Sequence, residues 1–114
     1  MSLKNTQGGG GGGGGDVTQH TVSQKTANYG VNLSSDDVIF CDTTGGAFTI
    51  TLPASHTAGE TIHIIDNGFV AATNNITIAT TDTDKINNSA ADYVINSNGT
   101  SITLISDGTN WNIL

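Results

Sequence analysis

The three histidines are the side chains of this sequence best suited to metal binding or acid–base chemistry. His63 lies between Ile62 and Ile64, so on an alternating strand it points away from the face that the two isoleucines share. In a threefold assembly, three copies of His63 could meet on the axis and bind a metal ion through their imidazoles. A solvated or hydrogen-bonded histidine is far commoner, and we expect that arrangement. His20 and His56 have no nucleophile motif around them.

Acidic residues offer two further kinds of site, and each lacks part of the required pattern. Asp82, Asp84 and Asp92 could supply oxygen ligands to calcium, but the segment lacks the glycine and the terminal glutamate of an EF-hand loop. Glu60 and Asp66 could form a glycosidase pair, but at the rise of a strand they lie about 20 Å apart, too far for that chemistry. The sequence therefore predicts no catalytic residue, no metal site and no cofactor.

The run from Gly8 to Gly15 is the most unusual segment of the chain. It lacks the lysine and the serine or threonine of a phosphate-binding loop, and Asp16 follows it where a cation would be needed. Glycine has no side chain to bury and loses the most backbone entropy on ordering, so the run cannot belong to a core. We interpret residues 1–18 as an N-terminal glycine-rich attachment arm and residues 19–114 as a β-rich domain.

The charge balance argues against two classes of partner. The net charge is −7, and the only basic residues are Lys4, Lys25 and Lys85, which are too few to neutralise nucleic-acid phosphates. Met1 to Gln7 contain no apolar run, so neither a secretory signal nor a membrane segment is expected there. We therefore expect no nucleic acid, no membrane insertion and assembly in a cytoplasm.

The domain must find stability without covalent cross-links. Its single cysteine, Cys41, cannot form an intrachain disulfide and is most simply a small buried hydrophobe. Domains of about a hundred residues often gain stability by oligomerising when disulfides and metals are lacking. Association with copies of itself is therefore the favoured route.

Composition and periodicity both indicate strands. Abundant Thr, Asn, Ile, Ser and Asp disfavour helices, and apolar residues alternate with polar ones, as from Phe48 to Leu52. Pairs such as Asn98-Gly99 tolerate the positive φ angles of tight turns. The predicted strands are 37–42, 47–52, 60–66, 75–80, 84–87, 92–96, 100–106 and 110–114, with a less regular one at 19–24.

The spacing of these strands predicts an all-β fold, as a small antiparallel sandwich, barrel or jelly-roll-like module. Trp111 is expected to be a largely buried anchor rather than an exposed platform for a sugar. The residues predicted to form the core or a subunit interface are Phe40, Phe48, Ile50, Leu52, Ile62, Ile64, Ile76, Ile78, Ile102, Leu104, Trp111 and Ile113.

Several segments in succession resemble a known kind of β module. They are DTTGGAFTITLP from Asp42, TIHIID from Thr61, NNITI from Asn74, YVI from Tyr93 and SDGTNWNI from Ser106. Over residues 36–114 this succession resembles modules of bacteriophage tail-fibre and related virion proteins. The resemblance implies a β-rich, commonly trimeric module displayed on a phage particle, and it implies no catalytic residues.

We therefore expect a non-enzymatic structural component of a bacteriophage virion: a short tail or head fibre, or a decoration protein. Its expected partners are copies of itself in a homotrimer, other virion proteins through the arm, and a glycan or protein of the host surface. The alternatives are a cement protein that stabilises the capsid and a carbohydrate-binding or ice-binding β module. Only Thr49 and Thr51 form the Thr-x-Thr pattern that ice binding requires to be regular.

Deletion of residues 1–15 tests the division into arm and domain. The shortened chain is expected to fold, because the deleted residues offer nothing to a core, but to be lost from assembled particles. Circular dichroism and the protein composition of purified virions measure the two effects. An unfolded product would place the arm within the core and overturn the boundary.

Overall fold

Alternating apolar and polar residues give nine strands and no helix in the part of the chain that the computed structural model describes, residues 19–114. The proposed arm, residues 1–18, lies outside the described residues. The described residues therefore include no helix that is long and apolar enough to cross a membrane. The strands are β1 (Val22–Lys25), β2 (Tyr29–Gly30), β3 (Val38–Cys41), β4 (Phe48–Thr51), β5 (Thr61–Asp66), β6 (Ile76–Ala79), β7 (Tyr93–Ile95), β8 (Ser101–Ser106) and β9 (Trp111–Ile113).

The strands form two sheets that pack face to face. The first sheet has the order β1-β3-β5-β8-β9, and the second has the order β2-β4-β6-β7. As far as β6, the chain changes sheet after every strand, so that it returns to each sheet in the same direction. The pairs β1-β3, β3-β5, β2-β4 and β4-β6 are therefore parallel.

The prediction of an all-β sandwich is confirmed, but the predicted antiparallel pairing is wrong for much of it. Antiparallel pairing is found only between β5 and β8, β6 and β7, and β8 and β9 in the described residues. Parallel strands need a crossover connection, and here the crossover is a strand of the opposite sheet. Strand periodicity is the same in both kinds of sheet, so it could not reveal this arrangement.

One layer of aliphatic side chains between the sheets forms the core. Ile39, Ile64 and Ile102 lie in register across β3, β5 and β8, while Ile50 and Ile78 pair across β4 and β6. Full burial of each such side chain stabilises the fold by about 1.5–3 kcal/mol. Of the twelve residues assigned to core or interface, Phe40 and Ile113 are half-buried and the rest are buried.

The predicted strand 84–87 is wrong. Ile86 is buried and forms only isolated bridges, to Ser89 and Trp111. Asn87 and Asn88 have φ angles of 52° and 63°, in the left-handed region, so an extended strand cannot continue through them. The short strand β2 was missed, although Tyr29, Val31 and Leu33 alternate with a glycine and an asparagine and pack in or against the core.

Trp111 is fully buried at the start of β9. Its indole lies against the imidazole of His56, with ring centroids 4.6 Å apart. Its backbone N–H donates to the carbonyl oxygen of Lys85, at 2.8 Å. Trp111 therefore joins the last strand to two loops, to the one around His56 through its indole and to the one around Lys85 through its backbone.

Replacing Trp111 with alanine is expected to lower the free energy of unfolding by about 3–5 kcal/mol, because a large buried side chain is lost and a cavity remains. Chemical or thermal unfolding measures the effect. The matched control is Phe69→Ala, which removes an aromatic ring that is 63% exposed, with an expected change below about 0.5 kcal/mol. An unshifted melting temperature in Trp111→Ala would defeat the core assignment.

Candidate functional site

Buried carboxylates at strand ends fix the loops that carry the candidate sites. Asp36, just before β3, accepts hydrogen bonds from the Ser23 hydroxyl at 2.7 Å, the Tyr29 hydroxyl at 2.6 Å and the Asn32 backbone N–H at 2.8 Å. Burial, followed by the hydrogen bond to Asp36, raises the pKa of Tyr29 to about 12. The tyrosine hydroxyl therefore stays protonated and continues to donate.

A second carboxylate, Asp66, holds an exposed aromatic loop. It is fully buried at the end of β5 and accepts from the backbone N–H groups of Phe69 at 3.1 Å, Ala71 at 3.0 Å and Gly99 at 2.9 Å. Gly68 in this loop packs against Asp42, because a Cβ atom at position 68 would lie 2.4 Å from the Asp42 carboxylate oxygen and would displace that side chain. The carboxylate thus ties the 66–71 loop to the turn between β7 and β8.

Phe69 is the most notable residue of this loop. Its φ angle is 62°, which bulky residues rarely adopt, and its side chain is 63% exposed. Strain of this kind persists only where surrounding contacts enforce it, and it is concentrated at binding and catalytic sites. The loop therefore presents an aromatic face that can stack on a sugar ring or pack against an apolar side chain. Phe69 was not among the predicted site residues, since a lone aromatic residue in a loop has no periodicity in the sequence.

His56, Ser106 and Asp84 form a hydrogen-bonded chain that joins three separate loops and strands. The imidazole Nδ1 contacts the Ser106 hydroxyl, and Nε2 lies 2.9 Å from an Asp84 carboxylate oxygen. In hydrolytic triads serine contacts Nε2 and the acid contacts Nδ1, so the two partners are exchanged here. Only the tertiary structure brings these residues together, because His56 is 28 positions from Asp84 and 50 from Ser106.

The surroundings of His56, Ser106 and Asp84 indicate that their hydrogen bonds have a structural role. Ser106 is only 3% exposed, and its hydroxyl also accepts from the backbone N–H of Gly108 at 2.9 Å. An incoming carbonyl carbon has no approach to so buried an oxygen. The His56 ring packs on one side against the Trp111 indole. These hydrogen bonds therefore hold the loop around His56 against the end of β8.

The outer faces of the two sheets differ in chemistry. On the second sheet, the central outward positions are threonines, such as Thr49 and Thr77, which pair across β4 and β6. On the first sheet, the outward positions include an apolar set, which we call the apolar face: Val22, Val38, Phe40, Ile65 and Ile105. Val22 is 48% exposed, and Phe40, Ile65 and Ile105 are half-buried. The first sheet thus carries this apolar set together with polar residues such as His63 and Thr103, whereas the second sheet carries threonines together with the exposed Val94.

His63 lies in the middle of the apolar face. Its Nδ1 is 2.8 Å from the Thr103 hydroxyl on β8, and its ring lies 5.4 Å from that of His20, centroid to centroid. Burial lowers the pKa of His63, with a smaller opposing influence of Asp37. His63 therefore has a neighbour of the same chemistry within its own chain, and that neighbour is a residue that sequence analysis set aside.

The remaining residues considered from the sequence lie apart. Cys41 is buried beside Asp66, and burial raises the pKa of its thiol to about 12, so it stays protonated. Asp82 and Asp92 are exposed. Within residues 19–114, the three aspartates considered for calcium do not form a metal-binding group; such a group is found only at His20, Asp37 and His63.

Similarity to known proteins agrees with this architecture. Residues 20–112 match the family model described as the phage depolymerase C-terminal beta sandwich domain. The match therefore covers nearly all of the residues described above, including both sheets. No curated protein matches the chain.

Proposed function

The chain belongs to the phage depolymerase C-terminal beta sandwich domain family, and from this membership we propose that it is a structural module displayed on the surface of a bacteriophage virion. The family indicates a virion-associated protein of the tail-fibre type, in agreement with the resemblance seen in the sequence. The finer role that we propose is a self-associating β module that contacts the host. Fold alone does not specify a role, so the proposed role depends on the chemistry of the sandwich surfaces.

We propose that this domain contributes assembly and binding rather than catalysis. The family name refers to the C-terminal sandwich of depolymerases. The one chain of serine, histidine and aspartate in the described residues has a buried hydroxyl and exchanged imidazole partners, as shown above. These features support a structural role for the polar networks of the sandwich.

The apolar face is the observation that carries the proposal of self-association. An antiparallel or mixed sheet at the surface ordinarily turns polar side chains to water, as the threonines of the second sheet do. On the first sheet, Val22 pairs with Val38 and Phe40 pairs with Ile65, while Ile105 lies beyond the row of His63 and Thr103. Apolar side chains grouped in this way on an outer face are characteristic of a surface that binds another protein. We propose that Phe40, Ile65 and Ile105 pack against the same face of other copies in a homotrimer.

We further propose that residues 1–18 join this domain to other virion proteins during assembly in the host cytoplasm. The glycine run has no side chains that could compete for the sandwich core. The described domain begins with β1 at the edge of the first sheet. The proposed arm would therefore extend from the sheet that carries the apolar face.

The exposed Phe69 favours a second role, contact with a glycan of the host surface. Its aromatic face is held outward by the Asp66 clamp, and the neighbouring Asn98 side chain accepts from the Ala72 backbone N–H at 2.9 Å. A rigid aromatic ring beside polar amide groups is a common arrangement for carbohydrate stacking. This position makes the 66–71 loop our candidate for the host-binding site.

Light scattering of the full chain tests the trimer. The expected mass is three times that of the 11.6 kDa chain, and Phe40→Asp is expected to give folded monomers, because a charge would be buried at the interface. Thr77→Asp, on the outer face of the second sheet, is the matched control and should leave the trimer intact. A wild-type monomer at micromolar concentration contradicts the proposal, as does dissociation by Thr77→Asp alone.

Phe69→Asn tests the host contact without disturbing the fold. Asparagine tolerates a positive φ angle better than phenylalanine, so the melting temperature should be unchanged or slightly higher. Binding of the purified chain to host cells should fall by about tenfold, the loss expected for one stacked ring. Val94→Asn removes another exposed apolar side chain and should keep full binding. Equal binding by Phe69→Asn and wild type would exclude this loop as the site.

A further inference from the structure

The first sheet brings two histidines and an aspartate together in one row. His20 precedes β1, Asp37 precedes β3, and His63 lies in β5, so the three come from adjacent strands of the sheet. Backbone hydrogen bonds fix the row: Val38 N–H donates to the Thr21 carbonyl, and His63 N–H donates to the Asp37 carbonyl, both at 3.0 Å. The arrangement is thus built into the strand register rather than made by flexible side chains.

The side chains of this row converge on a small volume. One ligand atom from each of His20, Asp37 and His63 lies within 4.8 Å of the other two. His20 Nδ1 is 2.6 Å from an Asp37 carboxylate oxygen, Oδ2. In metal-binding histidines, the ring nitrogen that does not bind the metal usually donates to a nearby oxygen, and the Thr103 hydroxyl occupies that place for His63.

Asp37 supplies an independent indication that this row can bind a cation. Its side chain is fully buried, and its second carboxylate oxygen, Oδ1, has no hydrogen-bond partner among the described residues. A buried carboxylate with an unpaired oxygen is costly unless a cation or further donors compensate it. Its partner in the row, His20, is 42% exposed, so that imidazole can move to admit an ion.

We propose that His20, Asp37 and His63 form a binding site for a divalent transition-metal ion, with zinc as the best fit. Two imidazoles and one carboxylate are ligands that suit zinc, whereas calcium and magnesium prefer sites made of oxygen atoms alone. Zinc holds such ligands at about 2.0–2.2 Å, which sets two ligand atoms of a tetrahedral site about 3.4 Å apart. The ion would therefore replace the 2.6 Å contact between His20 Nδ1 and the Asp37 carboxylate and move these two groups apart. This inference goes beyond the proposed function and does not depend on it.

The site leaves one coordination position open to the surface. A cavity of about 170 Å³ is lined by His20, His63, Ser101 and Thr103 among others, and the buried Asp37 contacts its His20 side chain. A water molecule, or a group from another copy of the chain, could complete a tetrahedral zinc site from this side. The metal would then fasten edge strand β1 to β3 and β5.

Such a fastening has a structural use in this domain. β1 is the edge strand that follows the proposed arm, and a pulling force on the arm would act on it first. The described residues contain one cysteine, so no disulfide can secure this edge. A metal bridge across three strands would replace that missing cross-link.

Zinc titration of the full chain, after treatment with EDTA and dialysis, tests the site. Calorimetry is expected to give one zinc ion per chain, and saturating zinc should raise the melting temperature by at least about 5 °C. Calcium and magnesium at the same concentration should give no shift. Cobalt should bind with the visible absorption of a low-symmetry nitrogen and oxygen site.

Two variants locate the ion. His20→Gln and His63→Gln should each weaken zinc binding by at least about tenfold and abolish the thermal shift, whereas Gln24→Ala, an exposed change on β1, should keep both. His20 is partly exposed, so its variant should fold even if His63→Gln does not. Absence of zinc binding, unchanged binding in His20→Gln, or one zinc per three chains would each overturn the proposal.

The outcome is separable from the question of the trimer. Light scattering in zinc and in EDTA reports the oligomeric state in parallel with metal binding. A trimer that binds no zinc contradicts only the metal site, while a monomer that binds one zinc per chain contradicts only the trimer.

Discussion

A single layer of aliphatic side chains between two sheets is the constraint on which this structure depends. Each strand gives alternate residues to that layer, as Ile62 and Ile64 do in β5. The residues between them must face outward, so every side chain available for binding lies on an outer face or in a loop. The position of His63 on the surface follows from this alternation.

Buried carboxylates hold the loops, which lie outside the aliphatic layer and gain little stability from it. Asp36 and Asp66 each accept several hydrogen bonds from groups distant in the sequence and so hold loops in place. Loss of one donor from such a network lowers the stability more than loss of a single apolar contact, because a buried charge is left unsatisfied. Asp37 differs from them in keeping one oxygen unpaired within the described residues, and this contrast makes it the informative member of the set.

The two sheets divide the work of the surface between them. The first sheet carries the apolar face and, within it, the row of His20, Asp37 and His63. The second sheet turns threonines outward. The Phe69 loop, held by Asp66, follows the end of β5 and lies outside the centre of either outer face. The surfaces that we propose for assembly and for host contact are therefore separate, an arrangement that suits a protein of the tail-fibre type.

The sequence by itself determined that this chain forms strands, which residues alternate into the core, and that its net charge is −7 with three basic residues. Those properties depend on local periodicity and on charge, which a sequence states directly. Only the tertiary structure decided that the strands run mostly parallel from β1 to β6, since direction depends on which sheet the chain enters after each turn. It also decided which of the polar residues meet: His20, Asp37 and His63 are far apart in the chain and become neighbours only through strand register.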